Sequence, residues 1–232
     1  MKKFSLRTSS VSAIAFDLDD TLYDRTNFEH GAYLKVAKKI AKETNIDTNK
    51  LLESLINTRK RKKSNYLQLF DTSLANVGLH DKELISLCLK TYRSFVPQKL
   101  DLYPGVNRIL FKLKRNYHLA LITNGREEMQ KRKIKALKIE PLFNLIIYAD
   151  SLAKNKKYRK PHPKPFEVLL ETFALDPSKV CYIGDNPEVD FEGALKLGIK
   201  CIRVLTGEYR FTPLRIKYKN YVHSIENLEA IF

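Results

Sequence analysis

The chain has 232 residues, 44% of them hydrophobic and 29% charged, with a formal net charge of +16. That composition suits a soluble globular fold, either one domain or one domain carrying a smaller insert. No apolar run approaches the roughly 20 residues of a membrane helix, and Arg7 and Asp17 interrupt the N-terminal region, so neither a membrane partner nor a signal peptide is expected.

The cysteines are Cys88, Cys181 and Cys201, an odd number with no C-x-x-C and each in an apolar neighbourhood. Buried free thiols in a reducing compartment are expected, and with them a cytoplasmic address. The positive charge recurs at 35–42, 59–63, 112–115, 131–138 and 154–164. Charge spread in this way marks solvated helix faces rather than a nucleic-acid surface, and its field favours an anionic substrate.

In chain order, 11–16 reads as a short strand apolar on both faces, running into Asp17-Leu18-Asp19-Asp20-Thr21. Helical patterns fill 27–96. Phe28, Tyr33, Val36, Ala37, Ile40 and Ala41 mark one apolar face. Asp47 or Thr48 can cap a second helix containing Leu51 and Leu55. Tyr66 to Leu74 suggests a third helix, ending near Gly78, and Asp81 can cap a fourth that carries Leu84, Cys88 and Tyr92. The basic run 59–63 falls at the end of the second helix, where it complements the helix dipole. Pro97 closes this block, which reads as a bundle of about four helices.

The pattern then changes to alternating strands and helices. Strands are expected at 118–123, 145–148, 180–183, 200–205 and 221–225. Helices are expected at 104–113, 126–137, 166–174, 188–197 and 226–231. The proline-rich stretch 161–165 predicts an extended loop. Such alternation predicts an α/β fold: a doubly wound, mostly parallel, Rossmann-like core formed by 1–22 and 100–232, with 23–99 inserted as a helical-bundle cap.

Polar residues of distinct types collect at strand ends, which share one edge in a parallel sheet. Asp17 and Asp19 follow the first strand, and Thr123, Asn124 and Gly125 follow the next. Asp185 follows the strand at 180–183, with Asp190 five residues on, and Lys160 lies in the loop before the 166–174 helix. Two carboxylates two residues apart repel each other unless a cation lies between them, and a hard divalent ion suits oxygen ligands. The hydroxyl, the backbone N–H groups and the lysine suit an anion. A metal-bridged phosphoryl group satisfies both sets.

These four segments resemble the motifs of the haloacid dehalogenase-like (HAD) hydrolases, over about residues 10–205. Asp17-Leu18-Asp19-Asp20-Thr21 is similar to the first motif, Thr123-Asn124-Gly125 to the second, Lys160-Pro161 to the third and 184–190 to the fourth. The helical insert resembles that family's C1-type cap. The resemblance implies a Mg²⁺-dependent phosphatase acting on a small phosphorylated metabolite through an aspartyl-phosphate. Asp17 would be the nucleophile, and Asp19 would protonate the leaving oxygen and then activate water. Thr123 and the Asn124 N–H would bind phosphoryl oxygens. Lys160 would pair with the nucleophile and neutralise developing charge. Asp17, the Asp19 backbone carbonyl and Asp185 would hold Mg²⁺, and Asp190 would support the metal ligands or orient Lys160.

Asp19 favours a phosphate ester over a haloacid substrate, because a departing halide needs no proton. A phosphomutase of the same fold keeps both aspartates and stays open on motifs alone. A basic nucleic-acid-binding protein is the non-enzymatic alternative, without an aromatic motif to support it. Tyr23, Asp24, Tyr33 and Arg93 are candidates for substrate selection or for packing, and His162 for a structural place in its loop. Oligomeric state is not legible.

Overall fold

The computed structural model describes residues 11–63, 66–213, 221–222 and 224–232. The stretch around Arg7 considered above as a leader falls outside the described residues, as does position 223 within the expected last strand. Among the described residues, no helix is long and apolar enough to cross a membrane. The chain divides into two compact units, Met1–Arg25 with Lys99–Phe232, and Thr26–Gln98.

The first unit is built on a six-stranded sheet. Its strands are β1 (Ala13–Phe16), β2 (His118–Thr123), β3 (Leu145–Tyr148), β4 (Val180–Gly184), β5 (Lys200–Val204) and β6 (Tyr221–Val222). They lie in the order β3-β2-β1-β4-β5-β6, and every pairing is parallel. The chain steps outward from β1 to β2 and β3, then restarts on the other side at β4. The switch point of this sheet therefore lies between the ends of β1 and β4, where ligands bind in open α/β sheets. Phe16 is level with Ile183, and the Asp17 N–H continues the ladder onto the Ile183 carbonyl at 2.8 Å.

Period-2 alternation sends Ala13, Ala15, Ala120, Ile122, Tyr182 and Cys201 to one face of the sheet. There they pack against Phe166 and Leu169 of α7 (Lys164–Phe173) and Ala194 of α8 (Glu192–Lys196). Intervening residues such as Ile14, Leu121 and Ile183 are equally buried, so the strands are apolar on both faces. Helices α5 (Val106–Lys114) and α6 (Glu127–Leu137) complete the crossovers on either side of β2.

Two expectations are corrected here. The helix expected over 188–197 is only Glu192–Lys196, because Asp190 turns inward and its Oδ2 accepts from the Asn186 N–H at 2.9 Å. The 161–165 loop is not extended. Its chain turns so that the His162 N–H reaches the Arg159 carbonyl at 2.8 Å. Asn124 clamps the Lys160 peptide from both sides, accepting from its N–H at 3.0 Å and donating to its carbonyl at 2.9 Å. That clamp draws the loop in toward the sheet edge.

The second unit holds helix α1 (Arg25–Thr44) from Thr26 onward, with α2 (Thr48–Lys62), α3 (Leu69–Ala75) and α4 (Lys82–Arg93). Asp47 caps α2 through the Lys50 N–H, and Asp81 caps α4 through the Glu83 N–H. Val36, Ile40, Leu51, Leu55, Phe70 and Leu74 make the apolar centre of the bundle. Tyr92 stacks on Tyr33 with centroids 5.7 Å apart and meets Phe28 and Phe70 edge-on, so Tyr33 packs the bundle. Within the basic run, Arg59 turns inward to a buried Glu29 at 2.9 Å.

Cys88, Cys181 and Cys201 are free and buried. Burial pushes the Cys88 and Cys181 thiols up to about 12, so both are protonated and unreactive.

Candidate active site

Asp17 leaves the end of β1 at the switch point, and three other motif residues meet it there. Lys160 Nζ lies 2.6 Å from Asp17 Oδ1, 2.7 Å from Asp190 Oδ1 and 2.6 Å from the Tyr182 hydroxyl. All four side chains are buried. An ammonium has three protons to give, so these partners use its full donor capacity. Two carboxylates hold the Lys160 ammonium at about 12 against the opposing effect of burial. Burial pushes the Asp17 carboxyl up to about 7, against the pull of Lys160 and with a further push from Asp190.

Asp185 follows β4 and faces the same point. Its Oδ1 lies 3.3 Å from the Thr21 hydroxyl, which is also 3.3 Å from Asp17 Oδ2. One hydroxyl proton cannot serve both carboxylates at once. Among the described residues, Asp185 Oδ2 is buried without a hydrogen-bond partner. Burial, then the charges of Asp190 and Asp17, hold its carboxyl well above the usual range. The positive charge of Arg25 only partly offsets this, and a buried carboxylate oxygen without a hydrogen bond is costly. Asp17, Asp185 and Asp190 each offer a carboxylate oxygen within 4.8 Å of the others. This hard, all-oxygen set fits a divalent cation such as Mg²⁺. Asp190 is the least free of the three, since its Oδ1 is taken by Lys160 and Tyr182 and its Oδ2 by the Asn186 N–H.

The Asp19 carboxylate does not join this group. The expectation that Asp17 and Asp19 share a cation between their side chains is corrected: each has its own lysine. Lys133 Nζ lies 2.7 and 2.9 Å from the two oxygens of Asp19. The Tyr23 hydroxyl donates to Oδ1 at 2.5 Å, and the Gln130 amide donates to Oδ2 at 2.9 Å. Burial would raise this carboxyl, but Lys133, Arg25 and the Lys133 and Tyr23 hydrogen bonds hold it down at about 2. In this arrangement Asp19 is ionised at neutral pH, and it must leave Lys133 either to accept a proton or to deliver one.

Thr123, the last residue of β2, is buried with its Oγ1 2.6 Å from the Gln130 amide nitrogen. Asn124 spends its side chain on the Lys160 peptide, so the second and third motifs form one unit. The Gly125 N–H donates to Asp150 Oδ1 at 2.9 Å, and Arg159 meets the same oxygen at 3.0 Å. His162 Nδ1 accepts from the Lys164 N–H at 3.0 Å, and its ring lies 4.9 Å from that of Tyr158; both contacts are local to its loop.

Several residues around the site carry no mark in the sequence. Gln130 and Lys133 sit in a run of polar and basic residues on α6, and only the 3.6-residue spacing from Ile134 and Leu137 hints at their burial. Tyr182 reads as an ordinary core aromatic. Arg203 reads as a strand residue, yet it donates to the carbonyls of Asp185, Tyr209 and Thr212 and ties the chain after β5 to the metal-ligand candidate.

Comparison with known proteins adds to this geometry. The family model described as haloacid dehalogenase-like hydrolase matches residues 14–204. A glyceraldehyde 3-phosphate phosphatase of Methanocaldococcus jannaschii is 32% identical over 203 residues, covering 86% of this chain and 87% of that protein. The (S)-2-haloacid dehalogenase 4A of Burkholderia cepacia is 27% identical over 234 residues, covering 94% of each. A HAD-hydrolase of Bacillus subtilis, solved bound to magnesium, shares the fold with a TM-score of 0.69 at 16% identity, over 95% of this chain and 98% of its own. The chain belongs to the haloacid dehalogenase-like hydrolases.

Proposed function

We propose that this protein is a Mg²⁺-dependent phosphatase of small phosphorylated metabolites, with glyceraldehyde 3-phosphate as the first substrate to test. The observation that carries the reading is the buried meeting of Asp17, Lys160 and Asp190 beside an Asp185 oxygen that has no hydrogen-bond partner among the described residues. A carboxylate paired with an ammonium and set next to the Asp185 carboxylate, whose second oxygen is unsatisfied, suits a phosphoryl group arriving with a cation. The relative from Methanocaldococcus jannaschii supports the choice of a triose phosphate.

In this reading substrate first frees Asp19 from Lys133, and Asp19 takes up a proton from solvent. Asp17 Oδ then attacks phosphorus, the bond to the substrate oxygen breaks, and Asp19 delivers that proton to the departing oxygen. Water then attacks the aspartyl-phosphate. Asp19 takes the water's proton, phosphate leaves, and the Asp17 carboxylate is restored. Thr123 and the Asn124 N–H hold phosphoryl oxygens, and Lys160 offsets the charge that develops on them. Asp17, Asp185 and the Asp19 carbonyl would hold Mg²⁺, which supplies a positive charge that lets an anionic ester approach an anionic nucleophile. Asp190 and Tyr182 hold Lys160 in place. Residues 23–99 serve as the family's cap, and the soluble enzyme works in the cytoplasm.

A dehalogenase reading has relatives in its favour, the Burkholderia cepacia enzyme among them. Asp19 speaks against it, because a halide leaves without a proton and that pathway has no use for a second aspartate gripped by Lys133, Gln130 and Tyr23. The test is phosphate release from glyceraldehyde 3-phosphate and from an aryl phosphate with Mg²⁺, beside halide release from a 2-haloacid. Phosphate without halide is the expected result. Halide without phosphate would overturn the proposal.

A further inference from the structure

We infer that Gln130 is a positioning residue that locks the acid/base aspartate Asp19 and the phosphate-binding hydroxyl of Thr123 into one frame. The inference rests on the phosphatase reading for the roles of those two partners and goes beyond it in assigning Gln130. Gln130 is buried on the first turns of α6, seven residues after Thr123. Its amide nitrogen lies 2.9 Å from Asp19 Oδ2 and 2.6 Å from Thr123 Oγ1. An amide –NH₂ has two protons, and these two contacts account for both. The orientation of the amide follows from its neighbours. A carboxylate paired with Lys133 is an acceptor only, so the nitrogen and not the carbonyl oxygen must face it.

The consequence for Thr123 is directional. Its oxygen accepts from Gln130, so its single proton has to point elsewhere. It meets the Asn124 carbonyl at 3.3 Å, a long and weak contact. The hydroxyl is thereby presented as a donor to an incoming phosphoryl oxygen. For Asp19 the consequence is positional. Lys133 reaches both carboxylate oxygens and Tyr23 reaches Oδ1, whereas Gln130 ties Oδ2 to Thr123 at the end of β2. The site is tight: a Cβ built on Gly125 would sit 3.3 Å from the Gln130 side chain, which therefore fills the space beneath the turn. A hydrogen bond to a charged group in such a site is strong, and losing it shifts a rate or affinity by about tenfold or more.

The test is a pair of double-mutant cycles on the full chain with Mg²⁺. Gln130→Met keeps the bulk and removes the donors. The first cycle uses the ratio of kcat/KM for an alkyl phosphate, whose leaving oxygen needs a proton, to that for 2,4-dinitrophenyl phosphate, whose leaving oxygen does not. Gln130→Met is expected to lower this ratio by about tenfold. In an Asp19→Asn background it should lower it no further. Both substrates are measured on one preparation, so the ratio is independent of the fraction folded. The second cycle measures inorganic phosphate binding by calorimetry, on protein shown to be folded by its melting transition. Gln130→Met should weaken phosphate by about fivefold to tenfold, and not at all in a Thr123→Val background. Equal losses in both backgrounds, or no loss, would overturn the inference, since a merely structural role is additive. An Asp19→Asn ratio equal to wild type would retire Asp19's acid role in the phosphatase reading. The phosphate cycle would then decide the Gln130–Thr123 contact by itself.

Discussion

Replacing Lys160 with methionine is the sharpest probe of the buried charge cluster. The side chain is 1% exposed, and its ammonium touches Asp17, Asp190 and Tyr182 within 2.7 Å. Methionine keeps much of the packing and removes the charge. The two carboxylates are then left buried beside each other with no cation. Removing one partner of a buried ion pair costs about 3–5 kcal/mol. The cost depends on pH, because the stranded Asp17 carboxyl can take up a proton. Burial already holds the Asp17 carboxyl at about 7 with Lys160 present, and without Lys160 it rises further. A carboxyl whose pKa is raised by folding loses stability as pH climbs through the window between its unfolded and folded values. Within that window each pH unit adds about 1.4 kcal/mol per carboxyl. Lys160→Met should therefore be destabilised by about 3–5 kcal/mol at pH 8, and by clearly less at pH 5.5. For a chain of this length that is a fall in Tm of about 10 °C at pH 8. Urea unfolding and thermal melts at both pH values measure it without reference to activity. Adding Asp190→Asn to the variant should recover part of the loss. A Lys160→Met protein as stable as wild type at pH 8 would refute the reasoning.

Three further outcomes follow from the same geometry. Burial and mutual repulsion raise both the Asp17 and the Asp185 carboxyls, so Mg²⁺ binding at pH 6 should release protons. Calorimetry in two buffers of different ionisation enthalpy will show this release, and its absence would deny that these groups bind the ion. Asp19 is held at about 2, chiefly by Lys133 and Arg25 against its burial, so it contributes stability above its ordinary value near 3.8. That contribution, about 2 kcal/mol, should fade as pH falls from 4 to 2 and should be missing from Lys133→Met melts. A Cβ on Gly184 would sit 2.5 Å from Asp190 Oδ2, so Gly184→Ala should displace Asp190 and cut phosphate release at least tenfold. Full activity in that variant would show that Asp190 does not need its observed place.

Much of this site was legible from residue order alone. Parallel strands deliver their C-terminal ends to one edge, so Asp17, Thr123 and Asp185 had to be neighbours once the α/β alternation was read. The loop carrying Lys160 was harder to place. Its inward turn depends on Asn124 closing on the peptide across 36 residues, a pairing that proline content does not suggest. The early turn before α8 was hidden for a similar reason: Asp190 reads as a helix-surface residue until its carboxylate is seen to bond the Asn186 N–H. Charge was the least legible feature. Lys131, Lys133 and Lys135 look alike in a chain of net charge +16, yet only burial against Asp19 distinguishes Lys133 from a solvated lysine. Gln130 was hidden among the same helix's polar residues. The separate lysine partners of Asp17 and Asp19 could not be read from the spacing of the two aspartates, which suggested a shared cation.

The central claim is that Asp17 is the nucleophile of a Mg²⁺-dependent phosphatase. The most direct measurement is phosphate release from an aryl phosphate by wild type and Asp17→Asn, both supplied with Mg²⁺ and both checked for a native melt. Asparagine keeps the size of the side chain and cannot form the acyl phosphate. A loss of about a thousandfold or more is the expected result. Equal rates for the two proteins would contradict the account.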